Sequence, residues 1–152
     1  MANRNISKVI IHCSATPPDM DIGAKTIREW HVRDNGWRDI GYHWVIRRDG
    51  TIEKGRDESQ QGAHCAAKSG NIGSIGICMV GGVRRENGKL ITENNFTPAQ
   101  WAALEGKVRE IFKKYRITTL LGHRDLDPGK ACPSFSVRDW AQKTGITQFV
   151  WR

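Results

Sequence analysis

The chain has 152 residues, 38% of them apolar, with a formal net charge of +8 and four cysteines. That length suits one domain with a real core. No apolar run approaches the roughly 20 residues of a membrane span, and the cysteines are too few for a disulfide-dense scaffold. The positive charge fits a polyanionic partner (nucleic acid, an acidic membrane or the anionic bacterial wall) or a solvated surface, and by itself does not choose among them.

The opening residues Met1 to Ser7 lack the basic stretch, long apolar segment and small-residue cleavage site of a signal peptide. Synthesis in the cytoplasm, with export by another route, is the expectation. Lys8-Val-Ile-Ile-His-Cys13 is a short apolar run suited to a strand buried on both faces. A helix is expected from about Thr26 to Asp34, opened by a capping box of Thr26 and Glu29. Gly41 to Arg48 and Thr51 to Lys54 flank Asp49-Gly50, a hairpin signal in which both turn positions favour φ > 0.

A further buried strand is expected at Ile75 to Val80. Thr97-Pro98-Ala-Gln100 is the clearest helix start, with Thr97 as cap, Pro98 in the first helical position and Gln100 completing the box. Trp101, Leu104, Val108, Ile111, Phe112 and Tyr115 then recur at helical spacing as a core face, with Lys107, Lys113 and Lys114 between them. Thr118 to Leu121 reads as a strand, residues 122–133 as a loop, and Ser136 to about Lys143 as a last helix. Strands alternating with helices, plus one hairpin, predict an α/β fold. The expectation is a single domain over residues 1–152, with a central mixed β-sheet flanked by helices.

His12, His123 and Cys132 fall where strands end or loops begin. Two imidazoles and a thiolate give zinc three protein ligands and leave a fourth position for water, the arithmetic of a catalytic site. Spacing alone does not join them, because most of the chain separates His12 from His123. Pro133 disfavours helical backbone at Cys132; in an extended segment Lys130 and Cys132 face the same way. A surface loop with an incidental Lys130 and Cys132 is the alternative. Among the other histidines, His31 reads as packed or surface, His43 points away from Tyr42, and His64 lies in a Gly-flanked loop that can line a substrate cleft. Cys13 and Cys78 read as buried thiols. His123-Arg-Asp-Leu126 imitates a kinase catalytic loop, but no glycine-rich loop or Asp-Phe-Gly accompanies it.

The segments Ile11 to Thr16, Ile27 to His31, Gly36-Trp37, Gly41 to Thr51, Gly55 to Glu58, Ser74 to Gly82, Asn95 to Gln100, Gly122-His123 and Lys130 to Phe135 occur together and in order. In them the sequence resembles the zinc N-acetylmuramoyl-L-alanine amidases of the phage-lysozyme type, whose superfamily includes the peptidoglycan recognition proteins. The resemblance implies Zn2+ held by His12, His123 and Cys132, with Tyr42 and Lys130 assisting catalysis. It implies hydrolysis of the amide between N-acetylmuramic acid and L-alanine in peptidoglycan, as a phage or prophage endolysin. Some bacterial members of the superfamily carry a catalytic Glu on the strand matching Ile75 to Cys78; Cys78 stands there, which shifts the work to Tyr42 and Lys130. A non-catalytic peptidoglycan-binding module of the same fold is the competing reading, and the intact Tyr42, Lys130 and Cys132 argue against it. No nucleic-acid partner is expected, since that reading rests on charge alone. A monomer is expected.

Overall fold

The computed structural model describes residues 4–146. Five strands form the main sheet: β1 (Lys8–Cys13), β2 (Trp44–Ile46), β3 (Ile52–Lys54), β4 (Ser74–Met79) and β7 (Thr119–Gly122). Their order is β3-β2-β4-β1-β7. β1 runs parallel to both β4 and β7, β2 is parallel to β4, and only β2–β3 is antiparallel. The sheet is mixed, as the sequence predicts. β1 and β4 lie centrally and are buried nearly throughout, because helices and loops cover both faces. The Asp49-Gly50 hairpin forms, but only Gly50 has positive φ (+90°). The turn is wider than a two-residue one, with Arg47 N–H bonded to the Thr51 carbonyl.

Several short elements escape the sequence reading. β5 (Val83–Glu86) and β6 (Lys89–Thr92) make a second, two-stranded sheet. Its turn residues Asn87 and Gly88 both have positive φ (+51° and +76°), so Asn-Gly was a legible hairpin signal. A single helical turn, α3 (His123–Leu126), stands inside the segment expected to be loop.

The first helix departs from expectation at its start, while its helical segment ends at Asp34 as expected. α1 spans Ala24–Glu29, and the Thr26–Glu29 capping box does not form. The Ala24 N–H instead donates to Glu53 Oε1 at 2.8 Å, so a carboxylate on β3 satisfies the helix start. Trp30–Asp34 continues as a wider π-type turn. α2 (Pro98–Lys114) carries the expected capping box of Thr97 and Gln100, and Leu104, Val108 and Ile111 are buried in the main core. Lys107 is not on the solvated face; it is buried with its ammonium 3.7 Å from the Trp44 ring centre. α4 (Val137–Thr144) is capped by Ser136 and ends at Gly145 in the left-handed region. Among the described residues no helix is long and apolar enough to cross a membrane.

Candidate active site

Parallel pairing of β1 with β7 brings the two histidines together. Ile11 pairs with Gly122, so the residues that follow them, His12 near the end of β1 and His123 just after β7, stand side by side at the same carboxyl edge. Strands lie about 4.8 Å apart, and the two imidazole centres are 4.8 Å apart. The carboxyl edge of parallel strands is where open α/β sheets place their ligands.

Cys132 arrives on a separate arm. Residues 127–134 are two successive turns, closed by Lys130 N–H to Asp127 O (2.9 Å) and Ser134 N–H to Ala131 O (2.8 Å). The arm is therefore not the extended segment expected from Pro133, and two-residue alternation does not apply within it. Several contacts dock it, among them the Ser134 hydroxyl, which donates to the Gly82 carbonyl at 2.9 Å. Cys132 O accepts from Arg124 N–H at 2.8 Å. Pro133 lies over Gly122, where a Cβ would meet its ring at 2.8 Å. Phe135 is buried edge-on against Phe96 and Trp101. The Cys132–Pro133 peptide is cis.

His12, His123 and Cys132 thus converge, one donor atom of each lying within 4.8 Å of the others. Cys132 Sγ is 3.8 Å from His12 Nδ1, close to the roughly 3.6 Å that separates N and S donors on a tetrahedral zinc ion. The electrostatics suit a cation. Burial, then the neighbouring His64, His123 and His43, hold the His12 imidazole well below its usual pKa, so it is neutral and offers a lone pair. His123 is lowered as well, first by burial; Asp127 opposes this and Lys130 adds to it. The neighbouring Cys13 and Cys132 thiols act on each other: Cys13 is lowered, chiefly by Cys132, and Cys132 is raised, by Cys13 and by burial, so the two titrate as a pair. The Cys13 N–H also donates to Cys132 Sγ at 3.2 Å, a contact that favours a thiolate there. All four cysteines are free thiols. Two neutral imidazoles and a cysteine sulfur form a donor set that fits zinc.

Tyr42 joins the cluster, its ring 5.2 Å from that of His12. Burial, the nearby thiols of Cys78, Cys132 and Cys13, and a hydrogen bond with Cys78 push its phenol well up. Tyr42 therefore keeps its phenolic proton at neutral pH and can donate a hydrogen bond. Lys130 is exposed at the tip of the arm, and its charge reaches His123.

His64, expected to line a substrate cleft, is instead buried at 8% exposure behind His12. Both of its ring nitrogens are engaged, with His12 Nε2 (2.8 Å) and Ser74 Oγ (3.2 Å). The loop before it is stitched down by buried Arg56, which donates to the carbonyls of Ile40, Gln61 and Asp39. His43 and His31 are structural. His43 Nδ1 accepts from Gly76 N–H (3.0 Å), its Nε2 contacts Gln60 O (2.8 Å), and burial brings it to about 4. His31 Nδ1 accepts from Gly41 N–H at 2.9 Å. Cys65 packs with Ile10, Leu121 and Leu126. Sequence reading missed Ser74 and the role of Gly76; a glycine inside a buried strand was the available signal for a close approach.

Residues 2–135 match the family described as N-acetylmuramoyl-L-alanine amidase. The chain is 46% identical to the endolysin of Klebsiella phage KP32 over 140 residues, 92% of this chain and 88% of that protein. It is 45% identical to the endolysin of Escherichia phage T7 over 138 residues, 91% of this chain and 87% of that protein. Among solved structures, it is similar to the N-acetylmuramoyl-L-alanine amidase LysC from Clostridium intestinale, with a TM-score of 0.75, 30% identity and coverage of 93% and 87%. Drosophila PGRP-LB gives a TM-score of 0.71 at 27% identity, covering 97% of this chain and 85% of that one.

Proposed function

We propose that this chain, which belongs to the N-acetylmuramoyl-L-alanine amidase family, cuts peptidoglycan through a zinc ion held by His12, His123 and Cys132, aided by Tyr42 and Lys130. Family membership and the endolysin likeness carry the reaction: hydrolysis of the amide joining N-acetylmuramic acid to L-alanine. The observation that supports the metal is the convergence of three donors from β1, α3 and the arm. When bound, zinc supplies Lewis acidity, polarising a carbonyl and lowering the pKa of a water to roughly 7.

The protein's own groups do the rest. His12 and His123 stay neutral and keep their lone pairs available. The exposed Lys130 ammonium meets the negative charge that develops on the scissile carbonyl oxygen, a contribution of roughly 3 kcal/mol for a well-placed donor. Tyr42, held protonated, orients the attacking water as a hydrogen-bond donor. Cys78 takes the place of a carboxylate beside Tyr42, so the proton that the water loses is relayed to the leaving nitrogen through the Tyr42 hydroxyl, which ends protonated as it began, rather than through a glutamate. The enzyme reaches the wall once the inner membrane is permeabilised, and it works as a monomer. The test pairs metal analysis of purified protein with release of free stem peptide from isolated sacculi. About one zinc per chain and stem-peptide release are expected; stem-peptide release by fully metal-free protein would overturn the assignment.

A further inference from the structure

His12 is 1% exposed, and both of its ring nitrogens are committed. Nδ1 faces Cys132 Sγ at 3.8 Å, and Nε2 lies 2.8 Å from His64 Nδ1. The far nitrogen of His64, Nε2, is 3.2 Å from Ser74 Oγ, and the Ser74 hydroxyl donates to the Gly70 carbonyl at 2.6 Å. The direction of this chain is forced from its far end. A carbonyl only accepts, and a hydroxyl has one proton. Ser74 spends that proton on Gly70, so it accepts from His64 Nε2–H. A neutral His64 then has a bare Nδ1, which accepts from His12 Nε2–H. The lone pair of His12 is left on Nδ1, facing Cys132.

The path is built rather than incidental. His64 fills a slot between two glycines: a Cβ at Gly76 or at Gly62 would come within 2.6 Å of its ring. Asn71 Oδ1 accepts from the backbone N–H of both His64 (2.8 Å) and Cys65 (2.7 Å), holding the loop in place. Ser74 is fully buried at the start of β4, beside the core of the sheet.

We propose that Ser74 and His64 are positioning residues that fix the tautomer of His12, setting its Nδ1 lone pair toward the metal-donor cluster. Neither touches the reacting atoms. A ligating histidine usually gives its second N–H to a carboxylate or a carbonyl. Here the carbonyl of Gly70 acts at a distance, through a hydroxyl and a second imidazole. The consequence for metal affinity rests on the zinc reading above; the proton order does not.

The test reads the ring nitrogens of the intact protein by long-range proton–nitrogen correlation, with and without zinc, alongside zinc affinity by chelator competition. His64 and His12 are both expected to carry their proton on Nε2 in the metal-free protein. Ser74→Ala is expected to weaken zinc binding about 10- to 100-fold, and Ser74→Thr, which keeps the hydroxyl, to restore most of it. A wild-type His64 protonated on Nδ1 overturns the proposal, whether or not the variants fold. So does a folded Ser74→Ala protein that binds zinc as tightly as wild type. Wild-type protein with the stated proton order but no zinc affinity would support the tautomer assignment and overturn only the zinc reading.

Discussion

The two halves of the site are held by different forces. His12 and His123 sit at the ends of paired strands, where ladder hydrogen bonds and a buried apolar sheet fix the backbone. Cys132 and Lys130 sit on an arm of turns, docked by a few contacts: Arg124 to the Cys132 carbonyl, Pro133 over Gly122, and Phe135 in the core. The histidine edge is a consequence of topology, whereas the arm is a local assembly that a single side chain can undo. A donor cluster drawn from both is therefore most vulnerable on the arm.

That contrast is tested hardest at Cys132. Cys132→Ala should abolish stoichiometric zinc and lower turnover by about 1000-fold or more, while leaving the fold intact. Metal analysis and sacculus assays check this, and a fully active, metal-free variant would defeat the assignment. Next comes Phe135→Ala, which empties a buried aromatic site and should cost about 3–5 kcal/mol, read by denaturant unfolding. A cost below about 1 kcal/mol would show that the arm does not depend on this anchor. Lys130→Ala should keep its zinc and lose about 100-fold in turnover, corresponding to roughly 3 kcal/mol. Unchanged turnover would reduce Lys130 to a surface residue.

The smallest effect belongs to the sheet side. Burial lowers His43 from the usual 6.5 to about 4, so the unfolded chain takes up that proton first as pH falls. The stability contributed by neutral His43 is fully present above about 6.5 and is lost progressively down to about 4. The change is at most about 3 kcal/mol from this group, and buried His12 and His64 act in the same direction. Unfolding of metal-free protein across that range should show the slope, and a flat profile would remove the argument.

Most of the framework was legible in local pattern. β1 matches its expected bounds because an apolar run bracketed by polar residues leaves little choice. α2 starts at Pro98 because Thr97, Pro98 and Gln100 each satisfy a helix-start requirement. α1 was misjudged because its cap comes from Glu53, distant in sequence. His64 was misplaced for a similar reason: a Gly-flanked polar loop reads as surface until Gly62, Gly76 and Ser74 are seen to enclose its ring.

By itself, then, the sequence determined the strands and the main helix, because hydrophobic period and capping act between near neighbours. It also supplied the donors, since residue type decides what can bind a metal. Only the tertiary structure decided which donors meet. Parallel pairing of β1 with β7 and docking of the 127–134 arm act between residues far apart in the chain. The same holds for the order of protons behind His12. It is set by a carbonyl at Gly70 and a hydroxyl at Ser74, groups whose partners no local pattern names.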